Sequence, residues 1–155
     1  MKTRSMRNRR GGSQIAEFAP ALLILFFVIL FPMVDIVYLA IGYCGGWYLN
    51  HMSSRAASTV AGNLAVRQTA CNNMTTAWMA STIAKFMNAT VPLNKPTISA
   101  YGATGDQFVE VDTQVTVAPL VNLSSVPFLN SVGVDGVTKP ITFIYVDKRP
   151  LEETQ

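Results

Sequence analysis

The chain has 155 residues, of which 50% are hydrophobic and only 14% are charged. This composition places it among membrane-associated proteins with one small domain. The formal net charge is +3, but no acidic residue precedes Gly12 and five of the twelve basic residues do: Lys2, Arg4, Arg7, Arg9 and Arg10. Without this leader, seven basic residues stand against nine acidic ones, a net charge of −2. The basic excess therefore belongs to the leader, and it does not support nucleic-acid binding.

A long apolar run follows the leader. No charged residue occurs from Phe18 to Val34, and the run continues beyond Asp35 to Ile41. About 20 helical residues cross the hydrocarbon core of a bilayer, so Phe18 to roughly Ala40 is long enough to span it. The positive-inside rule then keeps the N-terminus in the cytoplasm and exports the rest. The alternative is a secretory signal peptide cut near Ala40, although such peptides usually have only about 7 to 15 apolar residues.

A carboxylate stands at the start of this run. Glu17 lies five residues after Gly12 and directly before Phe18. A charge at the centre of a membrane helix costs about 2.5 to 3.5 kcal/mol, so Glu17 requires either a shallow position or a partner. Carboxylates at such positions are usually functional; the alternative is a glutamate that reaches the interface without a partner.

The spacing resembles the type III (class III) signal peptide of prepilins, which a prepilin peptidase cuts after a glycine, leaving a glutamate as the fifth mature residue. Here the cut would fall between Gly12 and Ser13. The Arg-Arg-Gly-Gly leader end, Glu17 followed by Phe18, and an apolar helix before a β domain are most similar to TadE-type pseudopilins of tight adherence (Flp) pili. In such families, pairing between the new amino group and the glutamate is proposed to align an incoming subunit with the filament.

The resemblance implies a minor pilin or pseudopilin of the bacterial inner membrane that acts in pilus assembly and surface adhesion. Its C-terminal domain would be periplasmic, and extracellular once the subunit is in a pilus. It implies a prepilin peptidase, other pilins and pseudopilins, an inner-membrane assembly platform and membrane lipid as partners. A pseudopilin of a type II secretion system or another type IV filament is the nearest alternative, and Ser13 argues mildly against the latter because many type IV pilins carry phenylalanine there. The alternative from a different class is a single-pass anchored periplasmic binding module, or an enzyme, whose helix is only a tether.

Catalytic motifs are scarce in the sequence. His51 is the only histidine, no glycine-rich phosphate loop follows a strand, and no Cys-x-x-Cys spacing occurs. These features give a catalytic triad or a histidine-based metal site few candidates. We therefore expect neither an enzyme, nor a cofactor, nor a metal site.

The order of patterns predicts an α+β fold in four segments: a leader at 1–12, a transmembrane helix at 13–41, a juxtamembrane helical region at 42–92 and a β-rich domain at 93–155. Small side chains at 53–70 predict that the anchor helix continues there. A second helix is predicted from about Asn73 to Met87, capped by Asn72 or Asn73. Its core-facing stripe would consist of Thr76, Met79, Ile83, Phe86 and Met87.

The pattern then changes to a period of two. Valines alternate with polar residues from Val109 to Val117, which predicts a strand with one buried face. A strand at 97–101 would form a hairpin with it through residues 102–106, and a third strand fits 141–146. The apolar segment 119–136 is expected to cover the sheet or to contact a neighbouring subunit, and the tail 148–155 to be solvated.

Residues near the outer end of the span allow two interpretations. Tyr43, Trp47 and Tyr48 fit either the membrane–water interface or a packed aromatic cluster. Three nearby glycines favour either a bend in the helix or close approach of neighbouring helices: Gly42, Gly45 and Gly46.

The sequence also supports expectations for one further acid, two prolines and two cysteines. Asp35 is expected at the outer headgroups or else beside a basic partner. Pro20 and Pro32 are expected to kink or locally unwind the helix, because proline removes a backbone donor. Cys44 and Cys71 are expected to be unpaired, since a continuing helix would separate them by more than the roughly 7 Å between Cα atoms that a disulfide allows.

Overall fold

The structure is a computed structural model and describes residues 11–100, 107–120, 135–136 and 138–152, with the side chains of residues 11–17 and 100 outside that description. The α+β fold is confirmed: a long apolar N-terminal helix, further helices and a three-stranded antiparallel sheet. The chain divides into two compact units, Met1–Val34 and Asp35–Gln155.

The first unit is helical. Helix α1 spans Gly11–Leu25, a π-helical turn follows at Phe26–Leu30, and helix α2 begins at Phe31. The Phe31 N–H donates to the Phe26 carbonyl, five residues earlier, as a π turn requires. Pro32 is the next residue. It has no backbone N–H to donate and its ring needs space, and the wider π turn before it accommodates both features. The local unwinding predicted for Pro32 thus takes the form of a π turn, whereas α1 continues through Pro20.

Helix α2, Phe31–Thr59, forms one wall of the second unit and ends earlier than predicted. Gly62 adopts a left-handed φ of +131°, and the Asn63 side chain accepts the Val66 N–H at 3.2 Å. A glycine in this conformation ends one helix, and an asparagine cap begins the next. The prediction that the anchor helix continues to residue 70 is therefore wrong beyond Thr59.

The predicted second helix is two helices. Helix α3 spans Leu64–Ala80 and helix α4 spans Thr82–Phe86, so the helical segment begins nine residues before the predicted Asn73. Ser81 separates them with an extended backbone, and its hydroxyl accepts the Ala84 N–H at 3.3 Å.

This break shifts the helical phase and alters the core. Trp78, Ala84 and Met87 are buried, whereas Ile83 and Phe86 are 54% and 57% exposed. Of the predicted stripe, Met87 is buried and Met79 packs partly against the core, but the core placement of Thr76, Ile83 and Phe86 is wrong. A single helical period from 73 to 87 cannot describe a segment that is interrupted at Ser81.

The sheet has the order β1-β2-β3, with β1 at Thr90–Ala100, β2 at Gln107–Val117 and β3 at Ile141–Pro150. The alternation predicted for β2 is confirmed, because its inward residues are fully buried: Val109, Val111, Thr113, Val115 and Val117. Strands β1 and β3 are longer than predicted, so Pro92 and Pro96 lie within β1, and Lys148 lies in β3 rather than in a solvated tail. The loop 102–106, most of the apolar segment (121–134) and the last residues (153–155) lie outside the described residues.

A buried hydrogen-bond network centred on Asn94 joins the helices to the sheet. The Asn94 amide donates to Ser53 Oγ at 2.9 Å on α2 and to Thr75 Oγ1 at 2.8 Å on α3. Its carbonyl oxygen accepts the Thr113 hydroxyl of β2 at 3.1 Å, and that hydroxyl also lies 2.9 Å from Asn50 Oδ1. Buried polar groups of this kind are stable only when they are paired, so the network fixes the register of four elements.

Two glycines let sheet side chains approach α2 closely. A Cβ atom at Gly46 would lie 2.6 Å from both Cε2 and Oη of Tyr145, and one at Gly42 would lie 3.0 Å from Val117 Cγ2. Helix α2 is continuous through these positions. Gly42 and Gly46 therefore serve helix–sheet packing and not the predicted bend, whereas Gly45 faces Trp78 of α3 and Ile83 of α4, in agreement with the predicted approach of neighbouring helices.

We expect Gly46→Ala to lower the free energy of unfolding. The Tyr145 hydroxyl donates to the Tyr43 carbonyl at 2.9 Å, and the ring must leave this position to admit a methyl group. Overpacking costs about 1 to 3 kcal/mol, which exceeds the gain of up to about 1 kcal/mol in helix propensity. Denaturant unfolding in detergent measures the change.

Gly45→Ala is the matched control. Its Cβ would lie 3.0 Å from Met87 Cε, the flexible end of a side chain, so this variant should be neutral or slightly stabilised. Equal unfolding midpoints for the two variants would contradict the packing role of Gly46.

Candidate functional site

The predicted processing and assembly residues all lie in one helix. Gly12, Ser13, Glu17 and Phe18 belong to α1, Gly11–Leu25. Positions 13 and 17 are four residues apart and therefore lie on the same side of the helix, separated by a rise of about 6 Å. The side chains of residues 12, 13 and 17 lie outside the described part of the structure, and that of Phe18 is 64% exposed. An amino group beginning at residue 13 would thus be one helical turn from position 17.

One helical stretch in the described residues, Phe18–Thr59, is long and apolar enough to cross a membrane. Only 11% of its most apolar window is buried inside the protein, unlike the core helix of a soluble domain. Large apolar side chains are exposed along its first half, including Leu23, Ile24, Val28, Ile29, Ile36 and Val37. Continuous apolar surfaces of this kind mark contacts with lipid or with another protein.

The stretch is longer than a bilayer requires. Its 42 residues extend about 63 Å, roughly twice the 30 Å of a hydrocarbon core. Its C-terminal part is instead the helical wall of the second unit, where Leu49, Ser53 and Ala57 are buried. Asp35 is also fully buried in this unit, so its side chain is enclosed by protein, while its level relative to the outer headgroups stays a prediction.

The aromatic residues beyond the span contact the protein and remain half exposed. Tyr43 packs against Phe143 and Tyr145, with ring centroids 5.5 Å apart in each pair. Trp47 stacks on His51 at 5.3 Å. Tyr43 therefore belongs to a packed aromatic cluster, while the exposed half of each ring is compatible with an interfacial position as well.

The fold places His51 in a polar cluster that sequence reasoning missed. Arg149 Nη2 lies 2.9 Å from His51 Nδ1, and Ser54 Oγ donates to Asp147 Oδ2 at 2.5 Å. A Ser-His-Asp triad requires the serine hydroxyl to bond to the histidine, but Ser54 bonds to Asp147 and is fully buried. The cluster ties α2 to β3. No local sequence signal could reveal it, because the partners are more than 90 residues apart.

Both cysteines are free, as predicted. The predicted reason was a continuous helix between them, but the chain reverses between α2 and α3, so their separation has a different cause. Cys71 Sγ lies 3.8 Å from the Ser53 carbonyl on α2, nine residues beyond Cys44, which corresponds to about 13 Å along the helix. Cys71 is fully buried, and burial raises the pKa of its thiol to about 11. Cys44 is exposed and lines an apolar groove of about 470 Å³ between α2 and α3, together with Met52, Met74 and Trp78.

Within the described residues, no group of three or more His, Cys, Asp or Glu side chains is placed to hold a metal ion. Comparison of the chain with protein-family models, curated proteins and solved structures gives no significant match.

Proposed function

We propose that this chain is a minor pilin or pseudopilin, similar to TadE-type subunits, that takes part in assembly of a tight adherence (Flp) pilus and in surface adhesion. The observation that carries the proposal is the position of residue 17, a glutamate one helical turn beyond Ser13 at the start of an exposed apolar helix. A tether needs no acid at this point, and a carboxylate near lipid is unfavourable unless it has a role.

The proposed protein is a single-pass protein of the inner membrane, with a cytoplasmic N-terminus and a periplasmic second unit. The five basic residues before Gly12 support this orientation. A prepilin peptidase would cut between Gly12 and Ser13 on the cytoplasmic side. An inner-membrane platform and other pilins would then receive the mature chain.

The proposed mechanism is packing of apolar helices in register. Cutting creates an ammonium group at Ser13, which pairs with Glu17 of the same chain or of a neighbour. Attraction between these charges is strong in a low-dielectric environment, but both lose solvation, so the pair sets alignment more than it adds net affinity. The exposed apolar side chains from Phe18 onwards supply the contact area.

Mass spectrometry of the N-terminal peptide from native membranes tests the proposal. We expect a chain that begins at Ser13. Gly12→Val should leave the leader attached, whereas the matched control Gly11→Val, one residue from the cut, should still be processed. A wild-type chain that keeps Met1 would instead indicate a simple tether, and a start near Ile41 would indicate a secretory signal; either result would overturn the proposal.

A further inference from the structure

Helix α4 has an apolar outer face. Ala84 and, directly after the helix, Met87 point into the core with 2% and 0% exposure. Ile83 and Phe86 face outwards and are more than half exposed, and the Lys85 side chain between them is also exposed. Two large apolar side chains beside a lysine on such a short helix form a small amphipathic surface.

Helix α4 contacts the first turns of α2 within the second unit. The Tyr38 hydroxyl donates to the Phe86 carbonyl at 3.1 Å, and the two rings meet edge to face with centroids 5.5 Å apart. Tyr38 comes 20 residues after Phe18, and about 20 helical residues cross a hydrocarbon core. By this count along the chain, Tyr38, which contacts α4, is the residue at which an anchor that begins at Phe18 would leave the acyl chains.

The start of the second unit also has exposed apolar side chains on α2. Val37 and Ile41, on either side of Tyr38, are 60% and 44% exposed. At the same level, Gly136 packs against Leu39, where an added Cβ would lie 2.6 Å from Leu39 Cδ1. The turn that contains Gly136 also carries an exposed lysine and an exposed aspartate, Lys139 and Asp135.

We propose that α4 binds the outer leaflet of the membrane that the anchor spans. Ile83 and Phe86 enter the boundary between headgroups and acyl chains, and Lys85 lies at the phospholipid phosphates. An amphipathic helix in this position buries its apolar face about 5 to 10 Å into that boundary, and basic residues favour anionic lipid. The inference goes beyond the filament role and requires only that the anchor crosses a membrane.

Depth-dependent quenching in the full chain tests this contact. In a Cys44→Ser background, a fluorophore is attached to Phe86→Cys, and separately to Ile83→Cys, in vesicles of phosphatidylglycerol and phosphatidylcholine. Cys71 is fully buried and should remain unlabelled. Lipids with nitroxides at different depths should quench both positions, most strongly with the shallow nitroxide.

Two further labelled positions serve as controls for the quenching measurement. Val28→Cys lies in the apolar run and should be quenched by deep nitroxides. Ile98→Cys is also exposed but pairs with Val109, which packs in the cluster of Ala57 near the far end of α2, and it should not be quenched. If the probe at position 28 is quenched, but the probes at positions 83 and 86 are quenched no more than the probe at position 98, the proposed contact of α4 with the membrane is overturned. Absence of quenching at 28 would overturn the anchoring on which it rests.

The role of the lysine is tested separately. Lys85→Glu should shift the probe at position 86 to a shallower depth in these vesicles, because the glutamate is repelled by anionic phosphates. Lys95→Glu makes the same charge change on exposed β1 and should leave the depth unchanged. An equal response to both substitutions would contradict a phosphate contact at Lys85.

Discussion

Replacement of Glu17 by alanine is expected to abolish incorporation of the subunit into a filament while leaving membrane insertion intact. Removing one partner of a buried charge pair costs about 3 to 5 kcal/mol, which corresponds to a loss of a hundredfold or more in an assembly equilibrium. Removing a carboxylate from an apolar helix does not impair its insertion. The measurement compares the amount of the variant in sheared pili with the amount in the inner-membrane fraction.

Two variants separate charge from helix structure. Glu17→Asp keeps the carboxylate one carbon closer to the backbone and should retain part of the assembly. Gln14→Ala removes a polar side chain in the same turns of α1 and should assemble as the wild type does. Wild-type incorporation of Glu17→Ala would contradict the pairing, even if the chain proves to begin at Ser13.

Replacement of Asn94 by alanine is expected to lower the free energy of unfolding by about 2 to 4 kcal/mol. The change removes donors to Ser53 and Thr75 and an acceptor for Thr113, so several buried polar groups lose a partner together. Leaving such groups unpaired costs more than the net contribution of an average hydrogen bond. Denaturant unfolding followed by circular dichroism measures the loss.

Asn72→Ala is the matched control for Asn94. Asn72 is exposed on α3 and accepts one hydrogen bond, from Gln68 Nε2 at 2.9 Å. We expect a change within about 0.5 kcal/mol, as for most surface substitutions. Similar losses for the two variants would show that the network does not fix the register of the helices and the sheet.

The parts of the fold that could be predicted from sequence are those with a long, uninterrupted pattern. The apolar run after Phe18 and the alternation from Val109 to Val117 each identify one element and its buried or exposed faces, and both are confirmed. Ser13, Glu17 and Phe18, which the resemblance predicts to act in processing and assembly, lie in the predicted helix, whereas Gly12 was predicted in the leader and lies in α1 as well.

What sequence reasoning missed depends on single residues or on distant pairs. One serine, Ser81, divides the predicted helix and turns Ile83 and Phe86 outwards, because its backbone is extended there. The contacts of Asn94 and of His51 join residues that are 19 to 98 positions apart, so no local period reports them. The glycines of α2 stand out in the sequence, but the partner of Gly46, the Tyr145 ring, is known only once the sheet is in place.

Strand β1 is an outer strand of the sheet, and its composition limits what can pair with it. An outer strand with free donors and acceptors is a template for adding a strand from another molecule, which leads to aggregation. In β1, Pro92 and Pro96 have no N–H to offer, Lys95 carries an exposed charge, and the Asn94 carbonyl already accepts Gln68 Nε2 at 2.9 Å. This side of the sheet is therefore closed to strand addition, and only the opposite edge, β3, is left as an outer strand of the described sheet.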